Sequence, residues 1–125
     1  MSMSMANLGP VVDQFIGFYY PTFATSRAAL SILYRDTSLL SWEGSQFRGS
    51  AAIIEKLASL PFQSVSHRVA TQDFQPGNDY FLITITGQLL VDGESNPQFF
   101  AQTFVLKSDA GVFYISNEVF RLVYG

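Results

Sequence analysis

The sequence predicts an α+β domain, with three helices packed on one face of a strongly curved, mainly antiparallel sheet. Two observations carry that prediction. Apolar residues recur at three- and four-residue steps through the first half of the chain, then at every second position from Phe62 onward. The second half is also punctuated by polar, turn-forming clusters at Pro76-Gly77-Asn78-Asp79, Asp92–Pro97 and Ser108–Gly111. At 125 residues the chain reads as one domain, residues 1–125, with material for a single core.

The first helix is expected over residues 8–24, where Val12, Phe15, Ile16, Tyr19, Tyr20 and Phe23 form one apolar face. Asn7 suits its cap and Pro10 its first turn. Pro21 lacks the amide hydrogen a helix needs, so a kink or a helix end is expected near it. Thr25 or Ser26 then caps a short second helix whose apolar face is Leu30, Leu33 and Tyr34. Ser38–Glu43 reads as a short strand. Gly49-Ser50 begins the third helix, with Ile53, Ile54, Leu57 and Ala58 facing inward, and Pro61 ends it. Val65–Phe74, Tyr80–Val91, Gln98–Lys107 and Val112–Tyr124 are rich in Val, Ile, Thr, Phe and Tyr and form a four-strand meander. In the third of these strands Phe99, Ala101 and Val105 alternate with Phe100, Phe104 and Leu106, so both faces are apolar. One helix layer covers only one face. A second copy of the sheet is the simplest cover for the other.

Composition narrows the function. Only 14% of residues are charged, the net charge is −3, and the seven basic residues are scattered. No basic stripe exists to neutralise phosphates, which argues against nucleic acid as a direct partner. The absence of cysteine excludes disulfides and thiolate metal sites and points to a reducing compartment. The start, Met-Ser-Met-Ser-Met-Ala-Asn, has neither the basic nor the apolar region of a secretory signal, and no apolar run approaches a membrane span. A soluble intracellular protein, with no membrane insertion, is the expectation.

Catalytic constellations are weakly represented. His67 is the only histidine. Asp73 lies six residues further along the same strand-like run, roughly 20 Å away on an unbroken strand. An acid–base pair drawn from Tyr19, Tyr20 or Tyr34 is open, but nothing in their spacing selects them over core packing. One histidine and scattered acids do not make a metal site. Gly44 and Gly49 are not followed by the Lys-Ser or Lys-Thr of a phosphate loop, and no serine sits in an elbow motif. What remains is an acid-rimmed apolar site. Trp42, the only tryptophan, precedes Glu43, and the segment that follows ends in Leu60-Pro61-Phe62. Asp92 and Glu94 bracket Gly93 at the end of the strand that carries Leu89 and Val91. Acids beside an aromatic-lined hole suit a protein partner that offers an aromatic knob flanked by Lys or Arg.

Together the segments Phe18–Phe23 (Phe-Tyr-Tyr-x-x-Phe), Leu33-Tyr34, Trp42-Glu43-Gly44, Ile54–Leu57 and Leu60-Pro61-Phe62 form the first part of an ordered set. His67-Arg68, Asp73-x-Gln75-Pro76, Gly87-Gln88-Leu89, Gln102-x-Phe104 and Asn117–Leu122 complete it. Nearly the whole chain is covered, and the set resembles the nuclear transport factor 2 family. The resemblance implies a cystatin-like, nuclear transport factor 2-like fold, in which cone-shaped subunits form a homodimer through their sheets. It implies a carrier rather than an enzyme, with no catalytic residue, metal or cofactor. Its cargo would be the small GTPase Ran in its GDP form, taken into the nucleus through the nuclear pore, with residence in cytoplasm, nucleus and nuclear envelope. In such a carrier Trp42, Leu60, Phe62, Val65, Leu89, Val91, Val119 and Phe120 would line the cone's opening and receive an aromatic of Ran's switch II loop. Glu43, Asp92 and Glu94 would meet Lys and Arg of Ran. GTP would reposition switch II and withdraw the aromatic. Phe-x-Phe-Gly repeats of nucleoporins are the second expected partner. Leu8 would stand in place of the family's usual exposed aromatic, without the ring stacking worth about 0.5–1.5 kcal/mol per pair. The alternatives are a small-molecule isomerase or dehydratase on the same superfold, and a scaffold subunit that pairs with a related domain of an mRNA-export factor.

Overall fold

The computed structural model describes residues 5–124. Helix α1 (Met5–Thr25) is followed by a 3-10 helix (Arg27–Leu33), a hairpin of β1 (Tyr34–Trp42) and β2 (Ser45–Arg48), and helix α2 (Ser50–Ala58). Four long strands complete the chain: β3 (Val65–Pro76), β4 (Tyr80–Val91), β5 (Gln98–Asp109) and β6 (Val112–Val123). They form one six-stranded, curved open sheet in the order β2-β1-β6-β5-β4-β3. Every pairing is antiparallel except β1 with β6.

The predicted α+β class and the four-strand meander are present, and the differences have local causes. Helix α1 begins at Met5, so Asn7 lies inside it rather than capping it, and it runs through both Pro10 and Pro21 to Thr25. Pro21 cannot bond the Gly17 carbonyl, but both residues are exposed, so water is available to that carbonyl. Tyr19, Tyr20 and Phe23 on either side are buried and hold the helix together. The short strand expected at Ser38–Glu43 is one arm of a hairpin. Its turn is Glu43-Gly44, both at positive φ (52° and 89°), which matches the twist of a two-residue connection.

The concave side of the sheet holds the core. Helix α1 lays Phe15 and Tyr19 edge-on to Phe104 of β5, with ring centroids 4.9 Å apart in each case. Two bulges shape this surface. In β3 the register shifts between Val69 and Thr71, opposite Gly87 of β4. A Cβ at Gly87 would lie 2.3 Å from the Arg68 carbonyl oxygen, so only glycine permits that approach. In β6 the register slips between Ile115 and Asn117, and the slip turns Glu118 inward. The convex side leaves Phe99, Val119 and Val123 exposed together with Leu39 and Leu90.

Candidate functional site

At one end of the core the side chains part around a cavity of about 200 Å³. Its aromatic wall is a stack: Trp42 and Phe120 lie 4.0 Å apart and nearly parallel, because β1 and β6 pair in register at those two residues. Phe23 of α1 stacks on the other face of Trp42 at 6.1 Å. Leu60, Pro61 and Phe62, from the loop between α2 and β3, form the opposite wall, and Leu89 and Val91 of β4 with Leu122 of β6 close it.

Three polar side chains reach this apolar space: Glu43, His67 and Gln98. Glu43 is pinned in the left-handed region of the hairpin turn. Its amide donates to the Phe120 carbonyl at 3.0 Å, and its Oε1 accepts from the Leu122 amide. Its second carboxylate oxygen takes no hydrogen bond among the described residues, and the side chain is part of the cavity lining. His67 packs between Tyr20, Phe23 and Phe100, at centroid distances of 4.6, 5.1 and 5.5 Å. Its Nδ1 is buried without a partner among the described residues, and burial lowers the pKa of the ring to about 4. His67 is therefore neutral near pH 7. Gln98 was not foreseen as a liner. It opposes Leu89 across the β4–β5 hairpin, and counting the register outward from the 92–97 turn would have found it.

Of the residues expected at the opening, Trp42, Glu43, Leu60, Phe62, Leu89, Val91 and Phe120 do line the cavity. Val65 is buried, paired with Val91, and does not line it. Val119 is 45% exposed on the convex face, because neighbours on a strand point to opposite sides and Phe120 takes the inner position. Asp92 and Glu94 lie exposed in the turn after β4, outside the lining. Asp92 serves the fold directly, since its Oδ1 accepts from the amides of Gln63 and Ser64 at 2.8 Å each. Leu8, expected to offer an apolar anchor at the surface, is 2% exposed and belongs to the core. Its place on the buried face of α1 leaves no side chain to present.

The weakly supported catalytic pair is separated. The β3 bulge reverses the strand's phase, so His67 faces the cavity while Asp73 is exposed beside a different, shallow depression. Among the described residues no group of three His, Cys, Asp or Glu is placed to hold a metal ion. Beneath the cavity lies a polar network that the sequence did not announce. Fully buried Glu118 accepts from Tyr19 and Tyr34 at 2.6 Å each and from Gln102 Nε2 at 2.7 Å. Tyr20 in turn donates to Gln102 Oε1. Burial raises the Glu118 pKa against the opposing effect of these donors. The network does not line the cavity. A strict alternation outward from Ile115 would have placed Asn117 inside instead of Glu118.

Residues 11–122 match the nuclear transport factor 2 (NTF2) domain family. The chain is 50% identical over 123 residues to nuclear transport factor 2 of Emericella nidulans, covering 96% of this chain and 98% of that protein. It is 46% identical to the Schizosaccharomyces pombe protein of the same name, over 97% of this chain and 100% of the relative. Among solved structures, nuclear transport factor 2 from Cryptosporidium parvum superposes with a TM-score of 0.85 at 39% identity, covering 91% of this chain and 93% of that one.

Proposed function

This chain belongs to the nuclear transport factor 2 family of nucleocytoplasmic transport carriers, and on that premise we propose that its cavity is the socket for one aromatic side chain of Ran-GDP. The observation that carries the reading is an open apolar cavity with the Glu43 carboxylate in its lining. An engineered cavity of about 150 Å³ suffices for benzene, so about 200 Å³ accommodates a phenylalanine ring. Trp42, Phe62 and Phe120 form the walls, with Leu60, Leu89 and Val91 completing the apolar shell and Val65 supporting it from beneath. Glu43, Asp92 and Glu94 supply negative charge on the same side of the molecule for flanking Lys and Arg of the cargo. Val119 serves the opposite face instead.

That opposite face supports a homodimer. Phe99, Val119, Val123 and Leu39 expose apolar surface on the convex side of the sheet, which a second copy would cover. Passage through the nuclear pore would rest on weak contacts with Phe-x-Phe-Gly nucleoporin repeats. Leu8, being buried, does not make such a contact directly. Shuttling between cytoplasm and nucleus through the pore follows from the same reading, and no helix among the described residues is long and apolar enough to cross a membrane.

Titrating the purified protein with Ran loaded with GDP or with GTP tests the proposal. Binding to the GDP form alone is expected. Equal binding of both forms, or of neither, overturns it.

A further inference from the structure

We propose that Arg27 and Asp92 are positioning residues that latch the Leu60–Ser64 loop, so that one wall of the socket is held in place by side chains rather than by a strand or helix. The proposal rests on the socket reading above. The loop gives Leu60, Pro61 and Phe62 to the cavity, yet it lies between α2 and β3 outside any backbone ladder. Two charged residues that do not themselves line the cavity hold it.

Arg27, the first residue of the 3-10 helix, places its guanidinium 4.8 Å from the Phe62 ring centroid and 5.8 Å from that of Phe23. Its Nη2 also donates to the Phe62 carbonyl at 3.3 Å. Asp92 takes the far end of the loop: Oδ1 accepts from Gln63 and Ser64, and its own amide donates to the Ser64 carbonyl at 2.8 Å. The left-handed backbone of Asp92 (φ 53°) brings carboxylate and amide to bear on the same two residues. Ring, carbonyl and two amides of a three-residue stretch are thus engaged from opposite sides. One consequence concerns the cargo. Asp92 Oδ1 is committed to the loop, so an incoming cation has Oδ2, and charge pairing there is coupled to the order of the Phe62 wall. Substitutions at Asp92 therefore act through two separable effects.

The test uses the full-length protein and two readouts. In the unliganded protein, amide hydrogen exchange at Gln63 and Ser64 should accelerate about tenfold, ~1.4 kcal/mol, in Asp92→Gly, because glycine accepts the left-handed backbone but offers no acceptor. Asp92→Asn keeps an acceptor and tolerates that backbone, so it should retain the protection. For cargo, Arg27→Ala should weaken Ran-GDP binding about tenfold, and Arg27→Lys should recover part of the loss by keeping the cation over the ring. Added to Phe62→Ala, Arg27→Ala should cost clearly less than it does alone, because the ring it holds is already gone and only the bond to the residue 62 carbonyl remains to be lost. Unchanged exchange in Asp92→Gly, or additive losses for Arg27 and Phe62, would overturn the latch. Failure of the wild-type protein to bind Ran-GDP would instead remove the carrier reading, while the exchange experiment would still decide the latch.

Discussion

Glu43 carries the most at the scale of single residues. A non-glycine residue at positive φ is strained by roughly 1–2 kcal/mol, and here the strain is held by two hydrogen bonds to β6. The result is a carboxylate fixed in the cavity lining. Glu43→Lys should abolish Ran-GDP binding in a pull-down while leaving the protein folded by circular dichroism; binding equal to wild type would refute the assignment. His67 makes a different prediction. Burial moves its pKa from the usual 6.5 to about 4, so between those values the unfolded chain binds a proton that the folded one refuses. Stability should fall as pH drops from about 6.5 toward 4, by at most ~3.5 kcal/mol at ~1.4 kcal/mol per unit. Glu118 acts with the opposite sign: its raised pKa means stability is lost as pH rises through the folded value. Comparing wild type with His67→Gln isolates the histidine. The variant should lose less stability on acidification in urea titrations, and an equal loss in both would show that His67 is not responsible. Residue-level legibility was uneven for one physical reason. Trp42, Glu43 and Phe62 were readable as a chemical combination, whereas Val119 and Phe120 came only from the family resemblance, and choosing between them needs the phase of the strand, which a bulge had reset.

Elements in this fold depend on where regularity breaks. The β3 bulge opposite Gly87 reverses which residues of that strand face the core, bringing His67 into the cavity wall and leaving Asp73 exposed. Gly87→Ala would drive a methyl group against the Arg68 carbonyl, which cannot move without breaking the β3–β4 ladder. We expect a loss of about 3 kcal/mol or more in denaturant unfolding, at the upper end of overpacking effects; a near-neutral result would mean the strands separate easily at the bulge. The turn clusters and the change of period made the four long strands legible. The β1–β2 hairpin was not, since β2 is four residues long and exposed or half-buried throughout, leaving no alternation to detect. The passage of α1 through Pro21 was equally hidden. Local propensity argues for a break there, and the packing of Tyr19, Tyr20 and Phe23 outweighs it.

For the molecule as a whole, the sheet has two unlike faces: its concave face and the helices build the cavity proposed as a socket, and its convex face exposes apolar side chains where a second copy is proposed to pack. Phe99, at 57% exposed, lies on β5 next to the central strand β6. Phe99→Glu should convert the proposed dimer to monomer in sedimentation velocity, and binding of Ran-GDP by each subunit should survive, since Phe99 is on the other side of the sheet from the cavity. A wild type that sediments as monomer would remove the dimer from the proposal. The doubly apolar strand was visible from the alternation of Phe99, Ala101 and Val105 with Phe100, Phe104 and Leu106.

Periodicity and residue type are local properties, and they carry the α+β class, the order of the long elements, the two-faced sheet and the chemical character of the opening. Family membership was legible from the ordered motifs and agrees with near full-length relatives. Folding adds that β1 pairs parallel with β6, that Leu8 is core, that Gln98 joins the lining, and that Glu118 sits in a buried tyrosine network. The burial of Leu8 follows from the start of α1 at Met5, which puts it on the same helix face as Val12, Phe15 and Tyr19. The others depend on strand pairing, register or a bulge, where one inserted residue exchanges the faces of everything after it. Side chains that meet across such a shift are far apart in sequence, and no local pattern records their meeting.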